Sequence, residues 1–434
     1  LRTPQPVAPA SSAESPTPED LRTLAFYTHF NGLSAAKIPA GLGSFHDMGL
    51  PTVAGREVST WRSVEGTSHK ARVLLQIPDG FLAQSPCLVV APASGSRGVY
   101  GAAPLVAPWA LPKGCAVVYT DKGAGTDYFD LASNTGVDLR GQRRPVNSAE
   151  LGFQPTVDQT SERGNSSLVA TAHAHSQSNV EAYWGLYTLE AARWAQSYLR
   201  QNHGVEPDRP ITTMAAGLSN GGQAVLRALE ADENSLLDAV VAVMPNITPP
   251  AIPSLYTYAS VAALAQPCLL GDAEFASALP FANPLLIGFG AIRCQSLHDA
   301  GLIDAPSPEA ARAWLGSVGF DDDSLTFSAS IVVLDVWRTV LANYASAYMK
   351  TAYDQMPCGY ALDAQKATPL EKAQWWATGS GSPPHTGITL IDSQASVHPQ
   401  DPHFAGLLCL YNLKDEPTLK ASVEKIRARA QWSS

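Results

Sequence analysis

Residues 210–231 read PITTMAAGLSNGGQAVLRALEA, and the fold turns on how this stretch is built. Pro210–Ala216 is a short apolar run of strand character. Asn220–Ala231 has helical spacing, with Ala224, Val225, Ala228 and Leu229 expected to face inward. The two meet at Gly217-Leu218-Ser219-Asn220-Gly221, a G-x-S-x-G. Such a strand-to-helix turn holds its serine in a strained conformation with the hydroxyl exposed above a sheet, and small residues on either side let the neighbouring backbone pass. The helix that starts there presents free N–H groups to developing negative charge. A bare G-x-S-x-G arises often by chance, and an ordinary loop serine is the alternative reading. Here a strand precedes the motif and a helix follows it, which selects Ser219 as a nucleophile.

Outward from this turn the chain keeps an α/β rhythm. Val73–Ile77 is a strand candidate, Cys87–Ala91 and Cys115–Tyr119 are short, Val-rich runs that read as buried parallel strands, and Leu237–Met244 is another strand. Pro104–Leu111 supplies a crossover between two of them. From Asn179 to Gln201 an apolar stripe recurs at three- and four-residue steps through Tyr183, Trp184, Tyr187, Ala191 and Tyr198, with Ser178 or Asn179 as N-cap. Its aromatic residues read as core packing. The alternation predicts a mostly parallel central sheet flanked by helices, the α/β-hydrolase fold. Residues 121–155 are polar and Gly-rich and read as a surface excursion. From 250 to 378 the pattern is mainly helical, with Ala259–Leu264, Pro308–Leu315 and Val333–Tyr353 as helices, and reads as a large cap insertion. The expected organisation is a disordered leader (1–20), a core (21–249), a helical cap (250–378) and a C-terminal part of the core (379–434).

The chain has 434 residues, 45% apolar and 16% charged, with a formal net charge of −10. That balance argues against nucleic acid or an anionic membrane surface and suits a neutral, weakly polar substrate. No unbroken apolar run reaches the roughly 18 residues a membrane span requires. Six cysteines, none in a CxxC pair, disfavour a zinc or redox motif. Disulfides or buried thiols remain as alternatives. If disulfides form, Cys268–Cys294 and Cys358–Cys409 are the first pairs expected, because each lies within one segment. Disulfides together with a Pro-, Ala- and Ser-rich start would fit a secreted or periplasmic protein.

A serine nucleophile needs a second set of partners. Ala91-Pro-Ala-Ser-Gly-Ser-Arg-Gly98 follows an earlier strand, where this fold keeps its other oxyanion donor. The backbone N–H groups of Ser94, Gly95 and Ser96, with that of Asn220, are the candidates; a ligand-free Gly-rich turn is the alternative. The glycine spacing here and at Gly123–Gly125 does not match a dinucleotide loop. In this fold the acid and the base follow the serine in the chain. His298, His385, His398 and His403 are the histidines available there, and Asp392–His398 is the best local pair, although six residues is a short separation. His173 and His175 read as structural residues, with a cleft-lining role as the alternative. No cofactor and no metal site is expected.

The runs PASGSRGVYGA, CAVVYTDKGAGTDYFDL, ATAHAHSQSN, GLSNGGQAVLRA and ATGSGSPP together resemble the D-(-)-3-hydroxybutyrate oligomer hydrolases, from about residue 50 to the end of the chain. The resemblance implies a serine esterase that cleaves short 3-hydroxybutyrate esters, with Ser219 as nucleophile and Ser94–Gly98 at the oxyanion position. It assigns no role to His173 or His175. It also implies an acid and a histidine on a segment that follows the equivalent of Ser434, so both are expected outside this chain, on a second polypeptide. A hydrolase of longer or synthetic polyesters, and a hydrolase scaffold that binds without turnover, are the competing readings. The fungal tannase type, with Cys before its serine, fits poorly because Leu218 stands there.

Overall fold

A computed structural model describes residues 15–31, 52–156, 167–247, 252–277, 279, 284–333, 336–379, 385–395 and 397–427. The leader proposed for 1–20 therefore lies largely outside the described residues. Its last part is helical, since α1 spans Pro18–Asn31.

The described residues divide into two compact units, one within 15–247 with 363–389, and the other within 252–362 with 390–427. The first is built on a six-stranded sheet. Its strands are β1 (Gly55–Arg62), β2 (Ala71–Pro78), β3 (Cys87–Pro92) and β4 (Ala116–Thr120). Helix α2 (Ala103–Ala110) crosses between β3 and β4. The excursion then folds into β5 (Tyr128–Asp130), β6 (Thr135–Val137) and β7 (Arg143–Pro145), which join β8 (Val169–Thr171) in a small antiparallel sheet ordered β7-β6-β5-β8. Three-residue strands are too short to show a period of two, which is why this segment reads as irregular in the sequence. The short helix α3 (Ala172–His175) and the long α4 (Trp184–Asn202) follow. Strand β9 (Thr212–Leu218), helix α5 (Asn220–Glu230) and strand β10 (Ala239–Val243) complete the series.

The sheet order is β1-β2-β4-β3-β9-β10. The pairs β3–β4, β3–β9 and β9–β10 are parallel, whereas β1–β2 and β2–β4 are antiparallel. Alternation along the strands separates two cores. Leu74, Val89, Val117 and Tyr119 pack with α1, α2, Trp375 and Trp376 on one face. Val73, Leu75, Leu88, Val90 and Val118 pack with Leu189, Ala192, Leu199, Val225 and Ala228 of α4 and α5 on the other. Burial on both faces explains why these strands read as continuous apolar runs. This topology, with its serine-bearing turn between β9 and α5, is that of an α/β-hydrolase.

Several expectations need correction. Leu229 is not inward but 45% exposed. The long helix starts at Trp184, preceded by a 3₁₀ turn at Val180–Tyr183, and Asn179 sits in the left-handed region with no side-chain capping bond. The domain boundary at 378/379 also moves. Helix α12, introduced below, belongs to the first unit because its Trp375 and Trp376 fill that unit's core, and residues 390–427 belong to the helical second unit rather than to the sheet.

The second unit carries α6 (Leu255–Ala265), α7 (Ala273–Ser277), α8 (Pro284–Asp299), α9 (Pro308–Ser317), α10 (Asp322–Val333) and α11 (Val336–Met349). Strand β11 (Tyr360–Asp363) leads to α12 (Pro369–Thr378) and then to β12 (Thr389–Asp392), which pairs with β11. The described chain closes with α13 (Phe404–Asn412) and α14 (Pro417–Arg427). Three disulfides form. Cys268–Cys294 and Cys358–Cys409 match expectation, and Cys87–Cys115 joins the starts of the adjacent strands β3 and β4.

Candidate active site

Ser219 stands where β9 ends and α5 begins, half-buried, with φ 56° and ψ −119°. An L-residue at positive φ is strained, at a cost of about 1–3 kcal/mol, and such strain persists only where its surroundings enforce it. Here they do. The Ser219 N–H donates to the Val243 carbonyl at 3.0 Å, and the Ser219 carbonyl accepts from Gln223 N–H at 3.0 Å and Asn246 N–H at 3.2 Å. The side chain is left out of this scheme and makes no capping bond to α5. A Cβ on Gly217 would lie 2.1 Å from the Gly221 carbonyl oxygen, and one on Gly221 would lie 2.6 Å from that of Pro92. Only glycine lets the turn close on itself and lie against the end of β3.

That end of β3 opens into the Ser94–Gly98 loop. Ser94 and Gly95 are half-buried, and Gly95 has φ 56°. Ser96 is buried, and its hydroxyl shares a 2.7 Å hydrogen bond with His173 Nδ1. Ala93 N–H donates to the Thr120 carbonyl at 2.8 Å, tying the loop to the end of β4. Gly221 sits against the Pro92 and Ala93 carbonyls, so the N-terminus of α5 and the start of this loop are immediate neighbours. Amide groups at a helix start and in a Gly-containing loop can together accept an oxyanion. Beside Asn220, Asn246 Nδ2 donates to Asn220 Oδ1 at 2.9 Å.

The histidines separate into distinct settings. Burial holds His173 and His175 down at about 3, with Lys122 adding to the effect on His173 and His173 to that on His175. Both are neutral imidazoles at ordinary pH. His175 Nδ1 accepts the Thr171 N–H at 3.0 Å, which marks a packing role. His385 is buried, stacked on Trp375 and edge-on to Tyr128, and burial holds it at about 3. His298, His398 and His403 belong to the second unit, as does Asp392. The Asp392 carboxylate faces His403 at 3.8 Å, whereas His398 packs edge-on against Phe404. The Asp392–His398 pairing is therefore replaced by Asp392–His403, because the turn at 393–395 and the start of α13 bring residue 403 back to β12. His398 instead lines a cavity of about 850 Å³ within the second unit, together with Gln295, Asp299 and Phe404.

Sequence reasoning singled out Ser96 and His173 separately and missed that they meet. It also missed Lys122, which is fully buried behind the Ser94–Gly98 loop. The one available signal was a lysine in a Gly-rich stretch directly after a strand. Among the described residues, no group of three or more His, Cys, Asp or Glu side chains is placed to hold a metal, and no helix is long and apolar enough to cross a membrane.

The family model of 3HB-oligomer hydrolase matches residues 4–415. The chain is similar to a D-(-)-3-hydroxybutyrate oligomer hydrolase of Paraburkholderia xenovorans (strain LB400), with 32% identity across 98% of this chain and 69% of the relative. It is similar to another of the same name from Cupriavidus metallidurans, with 30% identity across 94% of this chain and 66% of the relative. The chain thus spans about two thirds of the length of these relatives. Among solved structures, the ligand-bound rice cell wall degrading esterase LipA from Xanthomonas oryzae is 15% identical over 89% of this chain and 94% of that one, with a TM-score of 0.29.

Proposed function

The chain belongs to the 3HB-oligomer hydrolase family, a family of carboxylic ester hydrolases, and from this premise we propose that it cleaves short 3-hydroxybutyrate esters through an acyl-enzyme on Ser219. The observation that carries the reading is the strained backbone of Ser219 at the start of α5, with its hydroxyl uncommitted to the helix. The Ser219 Oγ attacks the ester carbonyl carbon. The carbonyl oxygen becomes an oxyanion, accepted by the N–H of Asn220 and by N–H groups of Ser94, Gly95 and Ser96. Collapse expels the alcohol, and water then releases the acid from the acyl-serine. Two such donors are worth a few kcal/mol each to the transition state.

The serine needs a base, and the base an acid. We place both on polypeptide outside residues 1–434. The support is β10, where Val241 and Val243 are 46% and 37% exposed, although strands of a parallel sheet are ordinarily covered on both faces. Further polypeptide packing on this edge strand would reach the sheet end from which Ser219 projects. Three disulfides favour an oxidising compartment, so a secreted or periplasmic location forms part of the proposal.

Incubation of the active protein with a linear 3-hydroxybutyrate trimer, beside the Ser219→Ala variant, tests the nucleophile. Release of monomer that disappears with the hydroxyl supports it, and undiminished release by the variant overturns it. Full turnover by material consisting only of residues 1–434 would overturn the external acid and base while leaving Ser219 in place.

A further inference from the structure

Lys122 has no role in the steps above, yet it is among the most thoroughly enclosed side chains of the first unit. It has no solvent exposure. Its backbone lies at φ 60°, a conformation rare for a residue with a side chain. The turn that imposes this is well specified. Lys122 N–H donates to Thr120 Oγ1 at 3.1 Å, and Asp121 Oδ1 accepts from Gly123 N–H and Arg72 N–H, each at 2.9 Å. The result is an ammonium group driven inward, over the ring of Trp184 at 4.9 Å.

Its hydrogen bonds go to two carbonyls of the loop already described. Lys122 Nζ donates to the Ala93 oxygen at close range and to the Gly95 oxygen at 3.1 Å. A peptide unit joins the carbonyl of one residue to the N–H of the next in a single plane, with the two groups pointing opposite ways. The unit gripped at Ala93 therefore ends in the Ser94 N–H, and the unit gripped at Gly95 ends in the Ser96 N–H. A cation on the carbonyl end also polarises the amide and strengthens its N–H as a donor. Glu181 and Asp121 are the nearby acidic groups, with burial raising Asp121 to about 7, and His173 is a neutral ring, while burial brings the ammonium down to about 7.

We propose that Lys122 is the positioning residue of the oxyanion loop: by holding the carbonyls of Ala93 and Gly95 it orients and polarises the amide groups whose N–H ends belong to Ser94 and Ser96. This rests on the assignment of Ser219 as nucleophile. A lysine that served only to fill space would not act on the two peptide units that flank the candidate donors. His173 contributes by holding the Ser96 hydroxyl, which leaves the loop fastened at Ala93, Gly95 and Ser96.

The test compares Lys122→Met with the parent in the active protein, using kcat, KM and the affinity for a trifluoromethyl ketone analogue of the ester, whose oxyanion would occupy the same donors. The expected result is a fall in kcat of about 100-fold, a KM changed by less than about threefold, and a parallel loss of analogue affinity. Unchanged kcat and unchanged analogue affinity in a folded variant would refute the proposal. Should Lys122→Met fail to fold, Thr120→Val frees only the Lys122 backbone. It is expected to lower kcat and analogue affinity together by about tenfold, and a fully active Thr120→Val would refute the proposal equally. Ser219→Ala separates the two levels. If that variant stays active, the nucleophile assignment fails. If it is dead while Lys122→Met is fully active, only the role of Lys122 fails.

Discussion

Lys122 in the first unit and Arg293 in the second are both enclosed basic side chains that donate to backbone carbonyls, and they differ in that only Arg293 has a carboxylate bonded to it. Arg293 is held by Asp401 through two charge-assisted bonds, Nε to Oδ2 at 2.6 Å and Nη2 to Oδ1 at 2.8 Å, and its Nη1 donates to the carbonyls of Ala263 and Leu264. Lys122 donates to carbonyl oxygens and faces an aromatic ring, and it is brought down to about 7. A planar guanidinium matched to a carboxylate gives a rigid structural joint between α8 and the segment before α13. An ammonium spread over peptide carbonyls instead acts on the backbone that it touches. The difference implies that variants in the first region should read out in chemistry, and variants in the second in stability.

The sharpest way to break that contrast is at Ser219 itself. Ser219→Ala is expected to lower ester turnover by at least about 10⁴-fold with the melting temperature held within a few degrees. Steady-state kinetics beside a thermal melt checks it. A large stability loss with modest kinetic loss would make residue 219 structural. Next comes Asp401→Ala, which leaves the Arg293 guanidinium buried without its carboxylate. Denaturant unfolding is expected to show a loss of about 3–5 kcal/mol, while phosphonylation of Ser219 per folded molecule stays the same. If labelling slows instead, Arg293 and Lys122 do not differ in kind.

Removing Cys268–Cys294 by paired Cys→Ser substitution opens a loop with a sequence separation of 26 in the second unit. The expected cost is about 2–4 kcal/mol, again with Ser219 labelling unchanged when measured on folded protein. The smallest effect concerns pH. His385 is held at about 3 by burial, so the native state stays unprotonated there while the unfolded chain takes up a proton below its ordinary value near 6.5. Stability from this group is therefore present above about pH 6.5 and is lost progressively as pH falls toward 3. His385→Phe should make the decline shallower by about 1 kcal/mol near pH 5.5, and unfolding curves at pH 7 and 5.5 measure it. An unchanged slope would mean that His385 does not stay neutral in the native state.

Much of the first unit could be read before any coordinates. Val-rich runs bounded by Gly and Ser become β2, β3 and β4 because both faces of these strands are buried, and such strands need only be apolar and short. The Ser219 turn was legible because its requirements are local: a strand, a helix, and glycines where backbone meets backbone. The Trp and Tyr stripe of α4 located that helix to within a few residues, although its N-cap did not form at Asn179, whose backbone turned left-handed to start a 3₁₀ segment. Leu229 fitted the helical period but fell outside the arc that β9 and α4 cover. The strands β5–β8 carried no usable signal, since an antiparallel ladder of three-residue strands depends on partners up to 43 positions away, as in Tyr128 opposite Thr171. Cys87–Cys115 was the disulfide not anticipated, because its two ends become close only after α2 has crossed and β3 has paired with β4.

What the amino-acid sequence determined unaided is the α/β alternation and the serine-bearing turn between β9 and α5, because backbone sterics and hydrophobic period act over a few neighbouring residues. Tertiary structure alone decided which distant groups would meet: Lys122 with carbonyls 29 and 27 residues back, His173 with a serine 77 residues away, and Arg293 with Asp401 108 residues on. Those contacts are set by how strands and crossovers stack, and a contact between residues far apart in the chain leaves no imprint on the local pattern of either one.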